Sequence, residues 1–130
     1  MWRDVANKIA DYLNVLLAVD WDIDAIDRVA KSRRVEDFLE SLYNALRRKE
    51  NLRERLRDAA SREGMGEEQK RAVDYAIRRV DLLTPKDLED LHEALARNEV
   101  SVKHAASYIG CRALASHPAF HTLRFIFGGR

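Results

Sequence analysis

The sequence predicts an all-α protein, a compact bundle of five to seven helices forming one domain over residues 1 to 130. Three observations predict it. Val35, Phe38, Leu39, Leu42, Tyr43 and Leu46 recur at i, i+3, i+4, i+7, i+8 and i+11, the pattern of a helix with one buried stripe. Thr84-Pro85-Lys86-Asp87 is a helix start: Thr84 caps, Pro85 occupies a first position whose N–H would be unpaired anyway, and Asp87 meets the positive end of the dipole. Finally, a chain of 130 residues buries roughly two thirds of its unfolded surface, enough for a core without metal or disulfide staples. No other segment combines so wide a stripe with so much bulk as Val35 to Leu46, so that stretch is expected to be the central helix.

The elements follow in order. Residues 2 to 19 form a first helix with Val5, Ile9, Tyr12, Leu13, Leu16 and Leu17 inward. Asp20-Trp21-Asp22 interrupts it, and Asp22 is placed to cap a short helix carrying Ile23, Ile26, Val29 and Ala30. Ser32-Arg33-Arg34 leads into the Val35 to Leu46 helix, beyond which only Leu52 and Leu56 continue the stripe. Gly64-Met65-Gly66 is the clearest break and is expected to be a loop, a candidate hinge between an N-terminal and a C-terminal half. A helix from Glu67 to Leu83 turns Ala72, Val73, Ala76, Ile77, Val80 and Leu83 inward. The Thr84 helix carries Leu88, Leu91 and Leu95 and ends near Asn98. A further helix runs toward Gly110, and Pro118 opens a last one.

Composition narrows the function classes. Apolar residues make up 46% and charged residues 35% of the chain, too apolar for disorder and too charged for a membrane protein. The longest apolar run, Val15 to Val19, is far short of the roughly 20 residues that a membrane span needs. Asp4 and Asp11 stand where a secretory leader would be apolar, and the lone Cys111 cannot form an internal disulfide; both fit a cytoplasmic protein. The charge is also polarised along the chain. Residues 1 to 30 carry six Asp against Arg3, Lys8 and Arg28, whereas residues 101 to 130 carry Lys103, Arg112, Arg124 and Arg130 with no acid. A basic C-terminal face is suited to an anion, either nucleic-acid backbone or an acidic partner.

The densest charge is a run from Arg47 to Arg57. One reading is a solvated face, in which Glu50 to Arg53 and Glu54 to Arg57 are i, i+3 pairs worth roughly 0.2 to 0.5 kcal/mol each. The other is a phosphate-tracking ridge made of Arg33, Arg34, Arg47, Arg48, Lys49, Arg53 and Arg57, extended by Lys103, Arg112 and Arg124.

Two local patterns carry rival functions. Lys103-His104-Ala105-Ala106-Ser107-Tyr108-Ile109-Gly110 resembles the first half of a helix-turn-helix, residues 102 to 117, with Ala106 as the small packing residue and Gly110 at the tight turn. That resemblance implies sequence-specific DNA binding, although Ser116-His117-Pro118 interrupts the helix that would read the bases. Arg112-Ala113-Leu114-Ala115-Ser116-His117 resembles the Arg, four residues, His spacing of the helical HEPN ribonucleases, which implies RNA cleavage by Arg112 and His117. His104, Cys111, His117 and His121 fit no standard zinc module, so no metal and no cofactor are expected.

The last helix carries Phe120, Leu123, Phe125, Ile126 and Phe127. Three consecutive apolar residues cannot all face inward on one helix, so Phe120, Phe125 and Phe127 are expected to dock on another chain or another copy. The order of features over residues 9 to 46, with Ile23-Asp24-Ala25-Ile26-Asp27-Arg28-Val29-Ala30 ahead of the amphipathic helix, resembles the small helical subunits of CRISPR surveillance complexes, particularly the archaeal Cascade small subunit. The resemblance implies a non-enzymatic antiviral-defense subunit that stacks on protein neighbours and touches single-stranded or duplex nucleic acid through basic residues. The leading expectation is therefore a non-catalytic subunit of a larger assembly; the HEPN-like ribonuclease and the helix-turn-helix protein are the alternatives.

Overall fold

A computed structural model describes residues 1–115 and 117–128. Its elements are α1 (Trp2–Asp20), α2 (Ile23–Ala30), α3 (Val35–Leu46), α4 (Lys49–Ala60), α5 (Glu67–Leu82), α6 (Pro85–Ala96), α7 (Val102–Ala113) and α8 (Pro118–Gly128). No strand occurs among the described residues, and the fold is compact and all-α. α3 and α4 are two arms of one expected run, broken at Arg47 and Arg48 because α3 packs on α2 and α6 while α4 packs on α5.

The hub is α1, not α3. α1 touches α2, α5, α6, α7 and α8, and the consecutive residues Val15, Leu16, Leu17, Ala18 and Val19 are all buried. α3 buries Phe38, Leu39, Leu42 and Ala45 but leaves Val35, Tyr43 and Leu46 only partly covered. α1 has a polar side of its own, at Asp4, Lys8 and Asp11, so stripe width does not rank the two helices; what sets α1 apart is that its C-terminal turns, Val15 to Val19, are enclosed by neighbouring helices.

Short-range chemistry sets the junctions. α1 ends on Trp21, whose left-handed backbone (φ 54) lets its N–H donate to the Leu17 carbonyl at 2.8 Å. Asp22 then caps α2 by accepting the Ala25 N–H at 3.1 Å, as its position predicts. At the start of α6 the buried Asp87 carboxylate accepts from the Thr84 N–H at 2.9 Å, the Thr84 hydroxyl at 3.2 Å and Lys8 Nζ at 3.3 Å. Gly64, at φ 79, turns the chain between α4 and α5, which pack on each other. The helices on either side of this break contribute to one core cluster, and the break joins α4 and α5 as a helical hairpin.

Gly110 does not make a turn. It lies inside α7, which continues to Ala113, and a Cβ built on it would stand 2.6 Å from the Ala30 Cβ. The glycine serves close approach of α7 to α2, so the turn that the helix-turn-helix reading places at Gly110 is absent. α8 then starts at Pro118, where the Ala119 N–H donates to His117 Nδ1 at 3.0 Å. Ser116, within that junction, and Arg130, expected at the basic end, lie outside the described residues.

Candidate functional site

The expected phosphate ridge divides into spent and free cations. Arg48 donates to Asp20 at 2.6 Å and to Asp22, tying the α3–α4 break to the end of α1 and the start of α2. Arg55 joins the same Asp20 carboxylate. Lys49 Nζ donates to the Leu83 carbonyl at 2.5 Å, and Arg53 pairs with Asp81 at 2.6 Å and Glu50 at 2.8 Å. Asp81 first, by hydrogen bonding, pushes the Arg53 guanidinium to hold its proton more firmly than usual. These side chains fasten helices together.

The outward group is looser. Arg33 is exposed and donates to the Ser32 carbonyl at 3.1 Å, Arg34 is exposed beside Glu36 at 3.2 Å, and Arg47 is exposed and donates to Asn44. Arg57 and Lys103 are exposed, and among the described residues neither has an ion-pair partner. A backbone phosphate has access to these five without dismantling the fold.

Arg112 and His117 do come together. Both line a cleft of about 330 Å³ with Asp11, Asn14, Tyr75, Arg79 and Ala115. α1 supplies Asp11 and Asn14, α5 supplies Tyr75 and Arg79, and α7 supplies Arg112. Asp11 stands 3.6 Å from Arg79 Nε and 3.9 Å from Arg112 Nε, both beyond hydrogen-bond reach. Arg79 also lies over the Tyr75 ring at 4.2 Å, and the His117 ring stacks on Tyr75 at 4.4 Å and 14°. Because His117 Nδ1 accepts the Ala119 N–H, the neutral ring carries its proton on Nε2.

The aromatic end is split as well. Phe125 points out at 77% exposure, while Phe120 and Phe127 pack partly against the core and Leu123 is buried. Arg124 donates to the Ala18 carbonyl at 2.9 Å and lies over the Trp21 ring at 4.5 Å. Phe127 sits beneath Arg55 at 5.5 Å. Trp21, 55% exposed, and Ile23, 48% exposed, thus share one end of the bundle with Arg124 and Phe127 of α8. Among the described residues no group of three or more His, Cys, Asp or Glu is placed to hold a metal ion, and no helix is long and apolar enough to cross a membrane.

Sequence reasoning missed Asp11, Asn14, Tyr75 and Arg79. A signal existed for two of them: Asn14 is a polar residue inside the apolar run from Tyr12 to Val19, and Arg79 falls in register with Ala72, Ala76 and Val80 on the inward face of α5. Comparison with protein-family models, curated proteins and solved structures finds no match to this chain.

Proposed function

We propose that this chain is a non-catalytic helical subunit of a larger assembly, docking on a protein partner through the end that carries Trp21 and contacting nucleic-acid backbone through its outward cations. The observation that carries the reading is Trp21. A bulky residue in left-handed backbone is strained, at a cost of order 1 to 2 kcal/mol, and this one holds its ring half out of the protein under Arg124, two residues before the exposed Ile23. Large apolar groups gathered at one exposed end fit a surface that another protein covers. The outward Arg33, Arg34, Arg47, Arg57 and Lys103 supply charge for phosphate contact. The resemblance of residues 9 to 46 to the small subunits of CRISPR surveillance complexes points the same way.

One observation favours a second reading, the HEPN-like ribonuclease: Arg112 and His117 line the same cleft. Titration of labelled single-stranded DNA, duplex DNA and RNA with the protein separates the two. Salt-sensitive binding with intact RNA supports the subunit; RNA cleavage abolished by Arg112→Ala or His117→Ala supports the ribonuclease. Absence of binding at low salt overturns the nucleic-acid contact in both.

A further inference from the structure

The cleft between α1, α5 and α7 has a charge balance that its own residues do not close. Two guanidiniums, Arg79 and Arg112, share one carboxylate, Asp11, and neither reaches hydrogen-bond distance to it. Among the described residues Arg79 Nε is buried without any acceptor, an arrangement that destabilises a protein unless something else supplies one. His117 is held by its cap so that Nε2 is left as a donor. Arg79 Nε itself is sealed from solvent, but the Arg79 and Arg112 side chains are 31% and 48% exposed, and the planar guanidinium donors they present suit the oxygens of a phosphate.

A neighbouring hollow of about 280 Å³ shares Tyr75 and His117 with this cleft and is lined by Arg71, Arg78, Thr122 and, on the acidic side, Glu68. Both faces of Tyr75 are already covered, by Arg79 and by His117, so what the two adjacent cationic hollows match is a ligand with repeated phosphates. A lone phosphate would use only one of them.

We propose that the Arg79–Arg112 cleft is a phosphate-binding site that takes the backbone of a single nucleic-acid strand, with Arg79 and Arg112 as the clamp, His117 as an added donor and Arg71 and Arg78 receiving the next phosphate. The proposal deepens the nucleic-acid side of the function proposed above by adding a site to the outward cations, and its test is built so that the two fail separately.

The experiment is fluorescence anisotropy of a labelled single-stranded RNA and the matching DNA, with Arg112→Gln, Arg71→Gln and Arg79→Gln compared with an Arg33→Ala/Arg57→Ala control, folding being checked by circular dichroism. Arg112 is exposed and Arg71 lies on the surface of α5, so these two variants keep the test open if Arg79→Gln fails to fold. Arg112→Gln is expected to weaken strand binding roughly tenfold, the loss of one charge-assisted contact, and to flatten the salt dependence by about 0.7. Wild-type affinity in the cleft variants together with loss in the control overturns the site and leaves the proposed function standing. No binding by the wild type overturns both. Binding of inorganic phosphate or a mononucleotide that depends on Arg112, without strand binding, overturns the assignment to a strand.

Discussion

Gly110 of α7 approaches Ala30 of α2 so closely that a Cβ on the glycine would stand 2.6 Å from the Ala30 Cβ and 3.5 Å from its Cα. In an unencumbered helix, Gly to Ala gains about 1 kcal/mol. Here the collision decides the sign. Gly110→Ala is expected to destabilise the fold by about 1 to 3 kcal/mol, the usual cost of overpacking, and thermal unfolding followed by circular dichroism reads it as a lowered midpoint. A raised midpoint would show that α2 and α7 have room to separate.

The position of α1 at the hub makes a second prediction. Leu16→Ala empties a fully buried site in α1 and is expected to cost about 2 to 5 kcal/mol, depending on how far the cavity collapses. Leu46→Ala, at a partly covered site on α3, is expected to cost clearly less. Urea unfolding of the two variants ranks the helices directly.

How much of this was legible in the sequence follows from the range of each signal. The surface helices announced themselves by one-sided stripes, and the caps at Asp22 and Thr84 are local chemistry between residues three apart. α1 was legible as an amphipathic helix but not as the hub, because the helices that enclose it meet it through contacts remote in sequence. The roles of Arg48 and Arg55 were hidden for another reason: their partner Asp20 is remote in sequence, so nothing in the charged run distinguishes a bracing arginine from a free one. In the cleft only the Arg112 to His117 spacing is local; Asp11, Asn14, Tyr75 and Arg79 join it through tertiary packing.

The Asp20 bracket separates bracing from binding. Asp20→Ala removes the shared acceptor of Arg48 and Arg55. These pairs are part-buried, so the expected loss is about 1 to 2 kcal/mol, above the value for fully exposed pairs. Chemical denaturation measures it. Arg48→Ala is expected to lower stability similarly while leaving strand affinity within about twofold of wild type, since a braced guanidinium has little left to offer a phosphate.

Tyr12 ties stability to alkaline pH. Its buried hydroxyl donates to the Ala45 carbonyl at 2.6 Å. Burial, opposed by the positive charge of Arg48, pushes its ionisation above the ordinary 10.0. The folded state therefore keeps a proton that the unfolded state gives up, so the contribution is complete below about pH 10 and declines as pH rises further. Tyr12→Phe is expected to lose about 1 kcal/mol at neutral pH, the worth of one hydrogen bond, and to show a shallower decline above about pH 10. Unfolding midpoints at neutral and alkaline pH compare the two slopes.

The central claim, that outward and cleft arginines meet nucleic-acid phosphates without cutting the strand, is tested most directly by the salt dependence of single-strand binding, with the RNA recovered intact afterwards. With three or four phosphates contacted, the logarithm of the affinity is predicted to fall with the logarithm of salt at a slope of about −2 to −3. A slope near zero, or no binding at low salt, would contradict it.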